Sequence, residues 1–182
     1  MKEVRLHGRG GQGGVTSAEL VATAAIAEGR YAQAFPSFGP ERRGAPVAAF
    51  VRVSDKQIRT REKVYHPDIV LVLDASLPGI VKVSDGLKDG GIVILNSSLC
   101  EDDIRKQFGL TAKLAVVDAN TIAQEVLGIP ITNTTMLGAL LKATGIVGLD
   151  AISDALDRRF GKLAEKNKAA LRRAYEETVI YG

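Results

Sequence analysis

Gly8-Arg9-Gly10-Gly11-Gln12-Gly13-Gly14 stands between a short apolar run and an alanine-rich segment. Val4-Arg5-Leu6-His7 reads as a strand, and residues 16–28 contain no Gly or Pro and many good helix formers. The glycines therefore fall at a strand-to-helix turn. Glycine permits positive φ and puts no Cβ between backbone and ligand, while the N–H groups and dipole of the following helix favour an anion. The expectation is a phosphate-cradling turn at the head of an α/β fold.

Beyond this turn, residues 31–35 read as a second strand, completing a strand-helix-strand pattern. Residues 36–44 form a loop rich in Pro, Gly and charge. Residues 47–53 read as a strand, with 57–61 expected to pair with it as an antiparallel hairpin across Ser54-Asp55-Lys56. The apolar runs 69–73, 92–95 and 113–117 suit strands buried on both faces. Asp74 and Asp118 follow the first and last of these runs.

The last third changes period. Helices are expected over 119–127, over 134–144 (capped by Asn133 or Thr132 and stopped by Gly145), and over 151–160 with Asp150 as N-cap. A further helix over 163–179 would bury Leu163, Ala170, Leu171, Ala174, Tyr175 and Thr178, leaving Lys166, Arg172, Arg173 and Glu177 on a solvated face. No repeat, linker or low-complexity tract interrupts the chain. The expectation is one domain over residues 1–182, a three-layer α/β/α, Rossmann-like fold with a mixed, mainly parallel sheet.

Composition narrows the function. At 182 residues, 46% hydrophobic and 25% charged, the chain can bury one core. Its net charge of +3 comes from 24 basic and 21 acidic residues spread along the chain, so no nucleic-acid partner is expected. Lys2, Glu3 and Arg5 interrupt the N-terminus, and no apolar run reaches the ~18 residues that could span a bilayer. No membrane association is expected, and the location is expected to be cytoplasmic. Cys100, His7 and His66 are the only cysteine and histidines, too few for a disulfide, an iron–sulfur cluster or a His/Cys zinc cage. Cys100 is expected to pack without reacting, and His66 to lie in a loop.

A nicotinamide or flavin site would need an acid at the end of the second strand to hold ribose hydroxyls. Gln33-Ala34-Phe35-Pro36 stands there instead. No Gly-Lys-Ser/Thr triplet closes the glycine loop, which argues against nucleotide hydrolysis. A tight turn serving only close helix packing is the plain alternative. In the loop 35–46, Phe35 and Phe38 could anchor while Glu41, Arg42 and Arg43 project, and arginine forks suit phosphate or carboxylate. Both loops are expected at strand ends near the first crossover, where open α/β sheets bind ligands. Asp74 and Asp118 read as caps or turn formers, with no metal site assigned.

Three segments together resemble the gamma subunit of 2-oxoacid:ferredoxin oxidoreductases over nearly the whole chain. They are residues 8–16 (Gly8 to Thr16), residues 32–46 (Ala32-Gln33-Ala34-Phe35-Pro36-Ser37-Phe38-Gly39-Pro40-Glu41-Arg42-Arg43-Gly44-Ala45-Pro46) and Asn133-Thr134-Thr135-Met136-Leu137-Gly138-Ala139. The wording is closest to the pyruvate branch, pyruvate synthase; the 2-oxoisovalerate and 2-oxoglutarate branches share the skeleton. The resemblance implies a complex that decarboxylates a 2-oxoacid on thiamine diphosphate, passes electrons through iron–sulfur clusters to ferredoxin, and joins the acyl group to coenzyme A. This chain has neither the cluster cysteines nor a Gly-Asp-Gly thiamine diphosphate segment. Thiamine diphosphate, Mg and clusters would sit in alpha, beta and delta-type partner subunits, with no catalytic residue here and the isolated chain inactive.

The resemblance further implies an accessory subunit that shapes the active-site entrance and shares the coenzyme A site. The candidate residues are Gly8, Arg9, Gly10, Gly11, Gln12, Gly13, Gly14, Arg42 and Arg43. Two other readings are a purely structural docking subunit of the same complex and a freestanding nucleotide-binding regulator.

Overall fold

The structure is a computed structural model and describes residues 1–37 and 43–182. In chain order its elements are β1 (Lys2–Arg9), α1 (Gly14–Ala27), β2 (Tyr31–Pro36), β3 (Pro46–Ser54), β4 (Ile69–Val72), a 3-10 turn (Leu77–Gly79), β5 (Ile92–Asn96) and α2 (Glu101–Phe108). There follow β6 (Lys113–Val117), α3 (Ala119–Leu127), α4 (Asn133–Thr144), α5 (Leu149–Phe160), a second 3-10 turn (Gly161–Leu163), α6 (Ala164–Glu177) and β7 (Val179–Tyr181).

The strands form one 7-stranded sheet in the order β2-β3-β1-β4-β5-β6-β7. β1, β4, β5 and β6 are mutually parallel, whereas β3 runs antiparallel to both β1 and β2, and β7 antiparallel to β6. The fold is thus α/β with a mixed, mainly parallel sheet covered on both faces.

Period-two alternation explains the layers. Leu6, Val51, Leu71, Ile94 and Ala115 point to one face, where they join residues of α1, α4, α5 and α6. Val70, Val72, Val93, Leu95 and Val116 point to the other, against Leu77 and the Ile104 side chain of α2. α4 is buried along Asn133 to Leu141 and packs on β5, β6, α1 and α6. It therefore lies between the sheet and α6.

Several expectations need correction. Residues 57–61 form no strand. β3 instead inserts between β1 and β2 and uses both of its edges, burying Ala49, Val51 and Val53 against α1. Glu62, just after the segment that was to complete the hairpin, lies against Arg52. That buried guanidinium donates to Glu3 Oε1 at 2.9 Å and to the Glu62 carbonyl at 2.7 Å, and stacks 5.3 Å from the Phe35 ring centroid.

α5 starts at Leu149 after Gly148, with Asp150 inside its first turn rather than at the cap. α6 stops at Glu177 because Thr178 turns extended (φ −65°, ψ 126°), which frees Val179–Tyr181 to pair with β6. Leu163 is exposed on the second 3-10 turn, outside the packed face. α2 was unanticipated. Only Ile104 of it is buried, and its signals are electrostatic: Glu101, Asp102 and Asp103 in the first turn, Arg105 and Lys106 in the last.

α4 and α6 cross closely at Gly138, where an added Cβ would lie 2.0 Å from the Leu171 carbonyl oxygen and 2.8 Å from the Tyr175 nitrogen. Gly138→Ala is therefore expected to lower unfolding stability by about 1–3 kcal/mol, the usual cost of overpacking. A denaturant melt measures this; an unchanged midpoint would contradict the close crossing.

Candidate functional site

β1 and β4 are parallel neighbours, but the chain leaves them toward opposite faces. After β1 it enters α1 on one side, and after β4 the Leu77–Gly79 turn on the other. Such a divergence opens a crevice at the carboxyl ends of the two strands, the usual ligand position in open α/β sheets. The glycine loop sits at this point.

The loop's shape depends on positive φ at Gly11 (91°) and Gly13 (79°). A Cβ on Gly11 would meet nothing within 4 Å among the described residues. Gly13 is the N-cap of α1, and no side chain among the described residues caps that helix. The first intrahelical bond runs from Ser17 N to Gly13 O at 2.9 Å, leaving the N–H groups of Gly14, Val15 and Thr16 without an acceptor among the described residues. No acid stands in the first turn of α1, so the positive end of its dipole is not neutralised from within.

The second loop is stitched to the first. Gly10 N donates to Ala45 O at 2.9 Å, and Gly44 N donates back to Gly10 O at 3.1 Å. Arg9 spans the gap: its Nη1 donates to Gly44 O at 3.0 Å, its Nη2 to Ser76 Oγ at 2.7 Å, and its Nε lies 3.3 Å from Asp74 Oδ2. Gln12 Oε1 accepts from Arg9 N at 2.7 Å while its Nε2 donates to Asp74 Oδ2, also at 2.7 Å. Asp74 Oδ1 takes the Ser76 N–H at 2.9 Å and the Ser76 hydroxyl.

Burial works against the charged Asp74 carboxylate. The hydrogen bonds from Ser76 and Gln12 and the charge of Arg9 outweigh it and hold the pKa below its ordinary value. Three hydrogen bonds and the Arg9 ion pair thus commit Asp74 to holding the loop. The acid sought at the end of β2 for a ribose would not help, because β3 separates β2 from β1.

Beside the loop lies a cleft of about 300 Å³ lined by Gly11, Gln12, Asp74, Ser76, Asn120 and Ile131 among others. Its floor is fixed by the buried Asn96, whose Nδ2 donates to Leu73 O at 2.8 Å and to Asn120 Oδ1 at 3.1 Å, and whose Oδ1 accepts from Ala119 N at 3.1 Å. The same end of the sheet carries exposed Leu99 (38%), Ile129 (49%) and Ile131 (49%).

The structure thus brings Gly8, Arg9, Gly10, Gly11, Gln12, Gly13 and Gly14 together with Asp74 and Ser76. Arg43 is exposed next to Gly44, whereas Arg42, Glu41 and Phe38 fall outside the described residues. Phe35 does anchor its segment, packing 5.2 Å from Phe50. Asp118 caps α3 through the Thr121 N–H at 3.1 Å, as its position suggested.

Neither Thr132 nor Asn133 caps α4 through its side chain. Thr132 Oγ1 instead donates to Leu73 O at 3.2 Å. Cys100 does not pack in the core. It is exposed at the N-terminus of α2, beyond the end of β5, and its Sγ lies 3.2 Å from Asp103 Oδ2. His66 is an exposed loop residue. Sequence reading passed over Ser76, Asn96 and Asn120; only the position of Asn96, directly after an apolar strand, offered a signal.

The model of the pyruvate ferredoxin/flavodoxin oxidoreductase family matches residues 3–177. The chain belongs to this family. It is 54% identical to the pyruvate/ketoisovalerate oxidoreductases common subunit gamma of Thermococcus litoralis, over 100% of this chain and 99% of that one. A crystal structure of pyruvate oxidoreductase subunit PORC from Thermotoga maritima superposes with TM-score 0.87 and 39% identity, covering 100% of this chain and 98% of the other. The 2-oxoglutarate:ferredoxin oxidoreductase of Magnetococcus marinus, solved with 2-oxoglutarate, coenzyme A and succinyl-CoA bound, shares the fold at TM-score 0.77 and 20% identity. There this fold covers 96% of the present chain and 30% of the longer one. The chain is therefore a gamma-type subunit of an oxidoreductase complex. No described helix is long and apolar enough to cross a membrane.

His7, next to the loop, accepts a hydrogen bond from Arg5 Nε at 3.1 Å. Burial, with the Arg5 charge adding to it, pushes its pKa down from 6.5 to about 4. The unfolded chain then binds a proton that the folded chain refuses, so this contribution to stability is complete above pH 6.5 and is lost as pH falls toward 4. Unfolding free energy measured across this window should fall less steeply in His7→Gln. An identical slope in both proteins would contradict a neutral, half-buried His7.

Proposed function

We propose that this chain is the gamma subunit of a pyruvate:ferredoxin oxidoreductase, in which pyruvate, coenzyme A and oxidised ferredoxin give acetyl-CoA, CO2 and reduced ferredoxin. It works in the cytoplasm as one domain, residues 1–182. Alpha, beta and delta-type subunits hold thiamine diphosphate, Mg and the iron–sulfur clusters and deliver electrons to ferredoxin.

Its own task is to complete the coenzyme A site at the active-site entrance, through Gly8 to Gly14 with Arg42 and Arg43. The observation that carries this reading is the uncapped N-terminus of α1, opened by left-handed Gly11 and Gly13 at the β1/β4 divergence. Arg9 is committed to Asp74, Ser76 and Gly44, so it shapes the loop and leaves phosphate contact to Arg43 and Arg42. Gamma subunits common to pyruvate and ketoisovalerate oxidoreductases, such as that of Thermococcus litoralis, support a role in a step that does not depend on the oxoacid side chain. Coenzyme A acylation is such a step.

The second reading is docking alone, favoured by the exposed Leu99, Ile129 and Ile131 beside the loop. One experiment separates the two. In the assembled complex, Arg42→Ala with Arg43→Ala should raise the coenzyme A constant about tenfold or more, the scale of lost charge-assisted hydrogen bonds. An unchanged constant with intact assembly removes these arginines from the site, and lost assembly with unchanged affinity favours docking.

A further inference from the structure

We propose that the side-chain amide of Asn133 is a second donor to the phosphate received at the α1 N-terminus, so that the anion subsite is built by two helices. The inference rests on the reading of the glycine loop as part of the coenzyme A site. Asn133 is the first residue of α4 and only 7% exposed. Its backbone is held from two sides, since Ser17 Oγ of α1 donates to Asn133 O at 3.3 Å and the preceding Thr132 is tied to Leu73 O at 3.2 Å.

Its side chain lies against the left-handed N-cap of α1. A Cβ on Gly13 would fall 2.5 Å from Asn133 Nδ2 and 3.0 Å from Cγ. The amide thus stands at the start of α1, whose first N–H groups lack an acceptor among the described residues.

Two facts separate this from ordinary packing. Asn133 follows the cap position, Thr132, and its amide makes no bond back to its own helix among the described residues. The amide makes no hydrogen bond among the described residues, although the residue as a whole is only 7% exposed. The electrostatics agree: neither α1 nor α4 has an acid in its first turn, so two positive helix ends meet at Gly13 and Asn133. The charge of Asp74 is taken up by Arg9. Gly13 must lack a side chain for the amide to come this close, which links its glycine to Asn133 as well as to its φ.

Asn133→Asp separates binding from packing because the two roles predict opposite signs. The carboxylate keeps the shape against Gly13 and suits a helix N-terminus, so thermal stability should hold or rise. The same change replaces a donor by a negative charge. In the assembled complex the coenzyme A constant should rise at least tenfold, with kcat at saturating coenzyme A within twofold of the parent. An unchanged constant with assembly intact overturns the proposal, as does a fall in kcat and stability without a change in the constant.

Should Asn133→Asp fail to assemble, Asn133→Ser, which retains one shorter donor, decides: a smaller rise supports the role and no rise overturns it. Gly11→Asp is the companion variant, placing a charge where a Cβ meets nothing within 4 Å among the described residues. If it raises the constant and the Asn133 variants do not, only Asn133 is excluded. If none of them does, the coenzyme A reading of the loop fails as well.

Discussion

One carboxylate holds the site together. Asp74 accepts hydrogen bonds from Gln12 and Ser76 and pairs with Arg9, while Arg9 reaches on to Gly44. Three loops from the ends of β1, β2 and β4 converge there. A segment with five glycines in seven residues has a large conformational entropy to lose, and glycine has the most freedom of any residue. Side-chain bonds within the loop and backbone bonds to Gly44 and Ala45 restrain it before any ligand arrives. A restrained site loses less entropy on binding, and its N–H groups stay aimed at one place.

The loop is also held from below. α6 presents its backbone to Gly138, which lets α4 lie buried between α6 and the sheet. α4 in turn places Thr132 on Leu73 and Asn133 under Gly13. Packing in the last third of the chain therefore sets the geometry of residues 8–14. Under the proposed coenzyme A reading, this packing is what makes the glycine-lined edge of the chain rigid.

Local pattern made much of the fold legible. The β1–α1 turn, the strands at Ile69–Val72, Ile92–Asn96 and Lys113–Val117, and α3 and α4 follow from apolar runs, periodicity and stop signals such as Gly145 (φ 58°). What failed was non-local. Insertion of β3 between β1 and β2 is set by burial against α1, and nothing near Ser54 announces it. β7 is three residues long and gains its pairing only from β6.

The glycine loop itself was readable because glycine density reports backbone constraint directly. Asp74 was legible as a turn former, which its bond from Ser76 N bears out, but its bond to Gln12 joins positions 62 apart and was hidden. The Ser17–Asn133 contact spans 116 positions and was equally hidden. Asn133 had drawn notice as a cap and within a segment of the family resemblance, and a cap and an inter-helix contact have the same sequence signature.

The most direct measurement is hydrogen–deuterium exchange of the assembled complex with and without coenzyme A. A site formed by the glycine loop and the α1 N-terminus predicts slowed exchange at residues 11–16, with the β5–α2 connection at residues 97–100 unchanged. Full coenzyme A occupancy with no change at residues 11–16 would contradict it.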